Sequence, residues 1–189
     1  MRRTAQLLAG IALLGGCGGE PVITETTAAM RPSAATAAAS QASPATEHKD
    51  LAALRAATAQ FHRIDVAKAA GYDVQFPAGC FTSAAGAMGF HYLNGAKVGT
   101  LKVTEPQLVM YEPQKNGTMK LVGFEYIVPG VPSETPPVLF DRAFEYNATF
   151  GVWALHVWAW KHNPQGMFSD WNPKVTCEYA TAVSTAAHL

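Results

Sequence analysis

Three polar side chains lie inside otherwise apolar stretches: His91 between Phe90 and Tyr92, Glu125 between Phe124 and Tyr126, and His156 just ahead of Trp158 and Trp160. A carboxylate buried without a partner is costly and takes up a proton. Glu125 therefore needs a counter-charge, a metal ion or a hydrogen-bond donor. Two histidines and one carboxylate from three segments form a ligand set suited to Zn, Fe(II) or Cu(II). The same groups can work as an acid/base pair with Glu125 as base or as the group that orients a histidine, or they can satisfy one another in a core that binds nothing. Sequence alone leaves these three readings open. Tyr92, Tyr126, Trp158 and His162 are the expected pocket neighbours, with His162, beside Asn163-Pro164, at the rim.

Spacing removes other candidates. His156 and His162 lie about 20 Å apart along an extended strand and cannot share an ion. In the register set by an Asn116-Gly117 turn, Glu112 and Glu125 are about four pairing rows apart, too far to form a glycosidase-type carboxylate pair. His62 follows Phe61, about 100° around a helix, and is expected to face solvent. His48 and His188 are near the ends and read as solvated. No nucleophile elbow, phosphate loop or haem-attachment cysteine pair is present. With 14 basic and 14 acidic residues and no basic cluster, the chain offers no nucleic-acid surface.

The elements that must position these groups read as an α+β domain over 46–189, a helix packed on a mostly antiparallel sheet. The spacing of Leu51, Leu54, Thr58, Phe61 and Ile64 predicts one helix from an N-cap at Thr46 to a stop at Gly71. Segments 107–112 and 118–128 flank Lys115-Asn116-Gly117, a strong hairpin signal. A two-residue Asn116-Gly117 turn sets Leu108 opposite Glu125, Met110 opposite Gly123 and Glu112 opposite Leu121. Leu108, Met110, Leu121, Glu125 and Ile127 then share one face, and Val109, Tyr111, Val122, Phe124 and Tyr126 the other. Both faces are apolar and so are expected to be covered. In this register Glu112 reaches water near the turn, whereas Glu125 does not.

Segment 129–137 is a loop by its prolines, and 140–146 reads as a short helix or irregular segment. A strand over 152–161 turns Val152, Ala154, His156, Trp158 and Trp160 one way and Trp153, Leu155, Val157 and Ala159 the other. Turns follow at 162–166 and 170–173, with a last short strand over 175–179. The four Trp suggest either an aromatic face for a sugar or apolar ligand or, on a central strand, simple core. Trp171, in a turn, is the one expected to be exposed.

The first residues form an address. Met1-Arg2-Arg3 precedes an apolar stretch too short to span a membrane, and 1–16 reads as a signal peptide. Leu14-Gly15-Gly16-Cys17 resembles a bacterial lipobox, which implies cleavage before Cys17 and its acylation, with the lipid bilayer as partner. Gly18 resembles the outer-membrane sorting signal of Gram-negative bacteria, which implies the periplasmic face of that membrane. Without Arg2 and Arg3 the mature chain carries 12 basic and 14 acidic residues, a net charge of −2. Segment 17–45, rich in Ala, Thr, Ser and Pro, reads as a disordered tether. In an oxidising compartment the remaining cysteines, Cys80 and Cys177, are expected to pair. Two free thiols or a soft-metal site are the rival readings, and neither Cys has the closely spaced neighbour that a thiolate metal centre needs. The disulfide would close a loop of 97 residues, for which loop-closure entropy gives about 4–5 kcal/mol.

Landmarks along 57–177 include Gly86-Ala87-Met88-Gly89-Phe90-His91-Tyr92, Tyr111-Glu112-Pro113, Val122-Gly123-Phe124-Glu125-Tyr126-Ile127-Val128-Pro129, Leu155-His156-Val157-Trp158, Asn163-Pro164-Gln165-Gly166-Met167-Phe168, and Trp171-Asn172-Pro173 with Cys177. On these the chain resembles an uncharacterised family of exported bacterial lipoproteins. The resemblance implies export and carries no activity. The resulting expectation is an envelope lipoprotein with a metal or small-ligand pocket at His91, Glu125 and His156. The contrasting expectations are a structural or interaction module without chemistry, whose protein partners the sequence leaves open, and a metal-free acid/base enzyme using Glu125.

Overall fold

The computed structural model describes residues 44–132 and 135–181. The signal segment, Cys17, most of the tether and His188 lie outside the described residues. Helix α1 (Pro44–Thr58) begins before the expected cap, so Pro44 and Ala45 belong to the domain and Thr46 sits inside the first turn. Proline is tolerated there because first-turn N–H groups have no helical acceptor. The expected single helix is broken. The Thr58 hydroxyl donates to the Leu54 carbonyl at 2.6 Å, a back-bond that bends helices. A 3-10 turn (Ala59–His62) follows, Arg63 is extended, and α2 (Ile64–Ala69) resumes. The Phe61 carbonyl accepts from the Tyr111 hydroxyl at 2.7 Å, so a core tyrosine takes up a group that a continuous helix would have used. Gly71 ends α2 at φ 92°, with the Tyr72 N–H on the Ala67 carbonyl.

Eight strands follow: β1 (Val74–Ser83), β2 (Gly86–Leu93), β3 (Leu108–Pro113), β4 (Met119–Pro129), β5 (Val138–Leu139), β6 (Arg142–Ala143), β7 (Glu145–Asn147) and β8 (Val152–Val157). Six form one curled antiparallel sheet in the order β1-β2-β3-β4-β8-β7, so the α+β class read from the sequence is the class of the fold. One face buries Tyr92, Val109, Tyr111, Phe124, Tyr126, Leu155 and Val157 in the same core as Leu51, Leu54 and Phe61 of the helical segment. The other face carries a smaller core of Ala87, Met110, Val122, Trp158 and Val175. The curl brings the sheet's two edges together. Phe76 of β1 meets Phe150, in the turn after β7, edge-to-face at 5.4 Å.

The β3–β4 register is the expected one for Leu108–Glu125, Val109–Phe124 and Met110–Gly123, then slips by one at a bulge, so that Tyr111 faces Leu121 and Glu112 faces Lys120. The loop therefore has three residues, closed by Gln114 and Thr118, with Gly117 at φ 80°. The slip exchanges two faces: Leu121 joins the helical-side core, and Val122 joins Met110. It also buries Glu112, which was expected to reach water. The freed Val122 carbonyl accepts from the Trp160 and Lys161 N–H groups at 3.1 Å, drawing the chain out of β8 after Val157. Lys161 thereby reaches Glu112, and Trp160 packs on the helical-side core rather than beside Trp158.

Segment 140–146 is strand and turn, not helix. Phe140 and Asp141, at φ 54° and 52°, form the two-residue turn between β5 and β6. The strand expected over 175–179 is absent; Asn172 instead makes an isolated bridge to Ala87. Cys80 and Cys177 form the disulfide.

Candidate metal centre

Alternation along β2, β4 and β8 sends Phe90 and Tyr92, Phe124 and Tyr126, and Leu155 and Val157 into the helical-side core. The residues between them, His91, Glu125 and His156, are thereby turned to the opposite face. Glu125 stands directly across from His156 in the β4–β8 ladder and from Leu108 in the β3–β4 ladder. His91 is opposite Met110, whose partner on β4 is Gly123. A Cβ at Gly123 would lie 2.8 Å from the Met110 methyl carbon and 2.6 Å from the Val157 carbonyl oxygen. Glycine is required there, because Met110 and the β8 backbone fill the space a side chain would occupy.

The three side chains converge. Glu125 Oε2 is 3.6 Å from His91 Nε2, and its Oε1 is 3.7 Å from His156 Nε2. Both separations exceed a hydrogen bond. Metal–nitrogen and metal–oxygen bonds of about 2.0–2.2 Å set neighbouring ligand atoms roughly 3.0–3.6 Å apart, close to what is seen. One ligand atom from each residue lies within 4.8 Å of the other two. His156 Nε2 is buried and has no hydrogen-bond partner. Its Nδ1 lies 2.9 Å from Asp170 Oδ1, the carboxylate–histidine support that orients metal-binding imidazoles. Among the described residues His91 has no carboxylate prop: its Nδ1 is buried without a well-formed hydrogen bond, and the Gly89 backbone is the polar group acting on the ring there.

The electrostatics separate the two imidazoles. Burial, helped by the neighbouring His156, pushes the His91 pKa down to about 3, so this ring is neutral at ordinary pH. Burial also presses His156 downward, but Glu125 and Asp170 outweigh it and raise its pKa above 6.5. Burial raises the Glu125 carboxyl against the pull of His156, and the His156 hydrogen bond holds Asp170 below the usual carboxylate range.

A cavity of about 390 Å³ opens over the cluster. Besides His91, Glu125 and His156, its walls include Phe76, Phe81, Leu108, Ile127, Phe150 and Trp171. Part of the rim comes from an irregularity in β1. Between the pairs Gln75–Tyr92 and Cys80–Phe90, four β1 residues stand against one on β2, and Phe76 and Pro77 lie in this extruded stretch at the cavity.

The structure thus brings together His91, Glu125 and His156 and separates the other expected neighbours. Tyr92 and Tyr126 are on the opposite face by strand alternation, Tyr126 donating to the Val103 carbonyl and Tyr92 accepting from Gln75. His162 is exposed, 3.4 Å from Lys174 Nζ, because the chain has left the sheet. Trp158 is buried in the small core, and its indole N–H on the Ser169 carbonyl holds the turn that carries Asp170. Trp171, expected to be exposed, is half-buried against the cavity. His62 is exposed as expected and packs edge-on against Trp160 at 4.4 Å. Asp170 is the one member of this cluster that the sequence does not single out. Its only local signal is a carboxylate in a turn, with nothing to link that turn to His156. In comparisons with known proteins, the chain matches no family model, no curated protein and no solved structure.

Proposed function

We propose that this chain is a cell-envelope lipoprotein whose folded domain holds one divalent transition metal on His91, Glu125 and His156, leaving a further coordination position open to the cavity. The observation that carries the reading is Glu125. Its carboxylate is almost withdrawn from solvent, accepts no hydrogen bond among the described residues, and faces two imidazole nitrogens at 3.6 and 3.7 Å. A bound cation would satisfy all three groups at once. Two neutral nitrogens and one carboxylate suit Zn, Fe(II) or Cu(II). The anchoring half of the proposal rests on the basic start, the short apolar stretch and the Cys17 context.

Metal content of untagged protein purified from cells tests the site. One Zn, Fe or Cu per chain, lost in Glu125→Gln and His156→Ala, is the expected result. A wild-type chain that stays metal-free after incubation with each ion, and whose melting a chelator does not alter, would falsify it. Acyl-chain analysis of the wild type against Cys17→Ser tests the anchor.

A second reading is supported by the His156–Asp170 contact at 2.9 Å. The oriented imidazole and Glu125 would serve as a metal-free proton relay. This reading predicts normal folding of Glu125→Gln and no metal in the wild type.

A further inference from the structure

We infer that the cavity admits a small, otherwise apolar ligand that places one anionic oxygen, of the phenolate, enolate or hydroxamate kind, on the open position of the metal. The inference rests on the metal reading above and adds the ligand class.

Charge and shape lead to it independently. Among the described residues, the only ionisable groups on the cavity wall are the three proposed ligands, and no Lys or Arg lines it. A divalent ion held by one carboxylate leaves at most a single positive charge in a mostly apolar enclosure, and one anionic oxygen neutralises it. A phosphate or dicarboxylate would bring further negative charge for which the wall offers the hydroxyls of Thr82, Ser83 and Thr149 and the Asn147 amide but no cation, so that charge would be buried without a counter-charge. Asp170 supports His156 from its far nitrogen and, although half in water, still acts electrostatically on Glu125, so it adds to the negative side of the balance and further disfavours a second anionic group on the ligand.

The walls set the remainder of the ligand. A cavity of about 150 Å³ is enough for benzene, and this one holds about 390 Å³, room for one substituted ring. Phe81, Leu108, Ile127 and Trp171 face that space. Phe76 and Phe150 meet across the rim yet are 36% and 37% exposed. They present apolar surface at the entrance that an aromatic or aliphatic ligand would cover.

The test uses full-length protein loaded with Co(II), whose visible spectrum reports ligation, titrated with acetohydroxamate and with benzohydroxamate. The two probes share the donor group and differ by a ring. Benzohydroxamate is expected to bind about tenfold tighter or more, the contribution of burying that ring. Phe150→Ala and Trp171→Ala should retain the Co(II) spectrum and reduce this preference to about threefold or less. Equal affinities in the wild type, or a preference that survives both wall substitutions, overturns the inference and leaves the metal site standing. A wild-type chain that takes up no Co(II) removes the metal reading and this inference with it.

Discussion

Glu112 and Glu125 lie on neighbouring strands, and their side chains are 6% and 12% exposed. Their surroundings differ completely. Glu112 accepts from Lys161 Nζ with both oxygens, at 2.7 and 2.6 Å, and from the Thr176 N–H at 3.0 Å. Among the described residues Glu125 has no such donor, only imidazole nitrogens beyond hydrogen-bond range. Burial of a carboxylate is therefore no sign of function by itself. What distinguishes a site from a structural ion pair is whether the protein has already supplied the partner. Around Glu112 it has; around Glu125 the described residues supply two imidazole nitrogens at 3.6 and 3.7 Å and no hydrogen bond.

The comparison breaks most visibly at Glu112. Lys161→Ala should cost about 3–5 kcal/mol of stability by leaving a buried charge unpaired, while metal content per folded chain stays unchanged. Chemical denaturation and metal analysis of the same sample check both halves. At Glu125 the expectation reverses: Glu125→Gln should lower metal affinity by at least about 100-fold, with metal-free stability equal to or above wild type, because an unpaired buried carboxyl is relieved. A large loss of metal-free stability in that variant would make Glu125 a second Glu112. A smaller effect is expected one shell out. Asp170→Asn should weaken the metal by about 10–100-fold through His156 and leave melting of the metal-free chain unchanged.

The mildest effect is on pH dependence. Metal uptake displaces the proton on His156. Because that group's pKa stands above 6.5, protonated ring accumulates as pH falls and affinity drops with it. His91, held down to about 3, does not compete in this range. An affinity flat between about pH 8 and pH 5.5 would contradict the assignment of His156 as a ligand.

The trio was legible in the sequence because strand alternation is a local property. A polar residue between two core aromatics must look the other way, and the Asn116-Gly117 signal set Glu125 opposite Leu108 correctly. The Glu112–Lys161 pair was not legible. It depends on a bulge at Val122, which has no residue signature, and on the carbonyl that this bulge frees to pull the chain out of β8. Asp170 and the Phe76 and Phe150 rim were hidden for a related reason: turns that converge on a site do so through tertiary contacts that no periodicity encodes. The β5–β6 turn was missed because Phe140 and Asp141 adopt positive φ without a glycine to announce it.

The Cys80–Cys177 bond has a consequence for when the molecule becomes competent. His91, Glu125 and His156 are all synthesised before Cys177, yet the tail that this bond secures includes Thr176, which donates to Glu112, and follows directly on Asp170 and Trp171. A nascent or reduced chain therefore holds every ligand but lacks the covalent tie between the cavity's β1 wall and its closing segment. Thiol oxidation would then fix the closing segment last, and under the metal reading proposed above the ion taken up would be one available where that oxidation occurs.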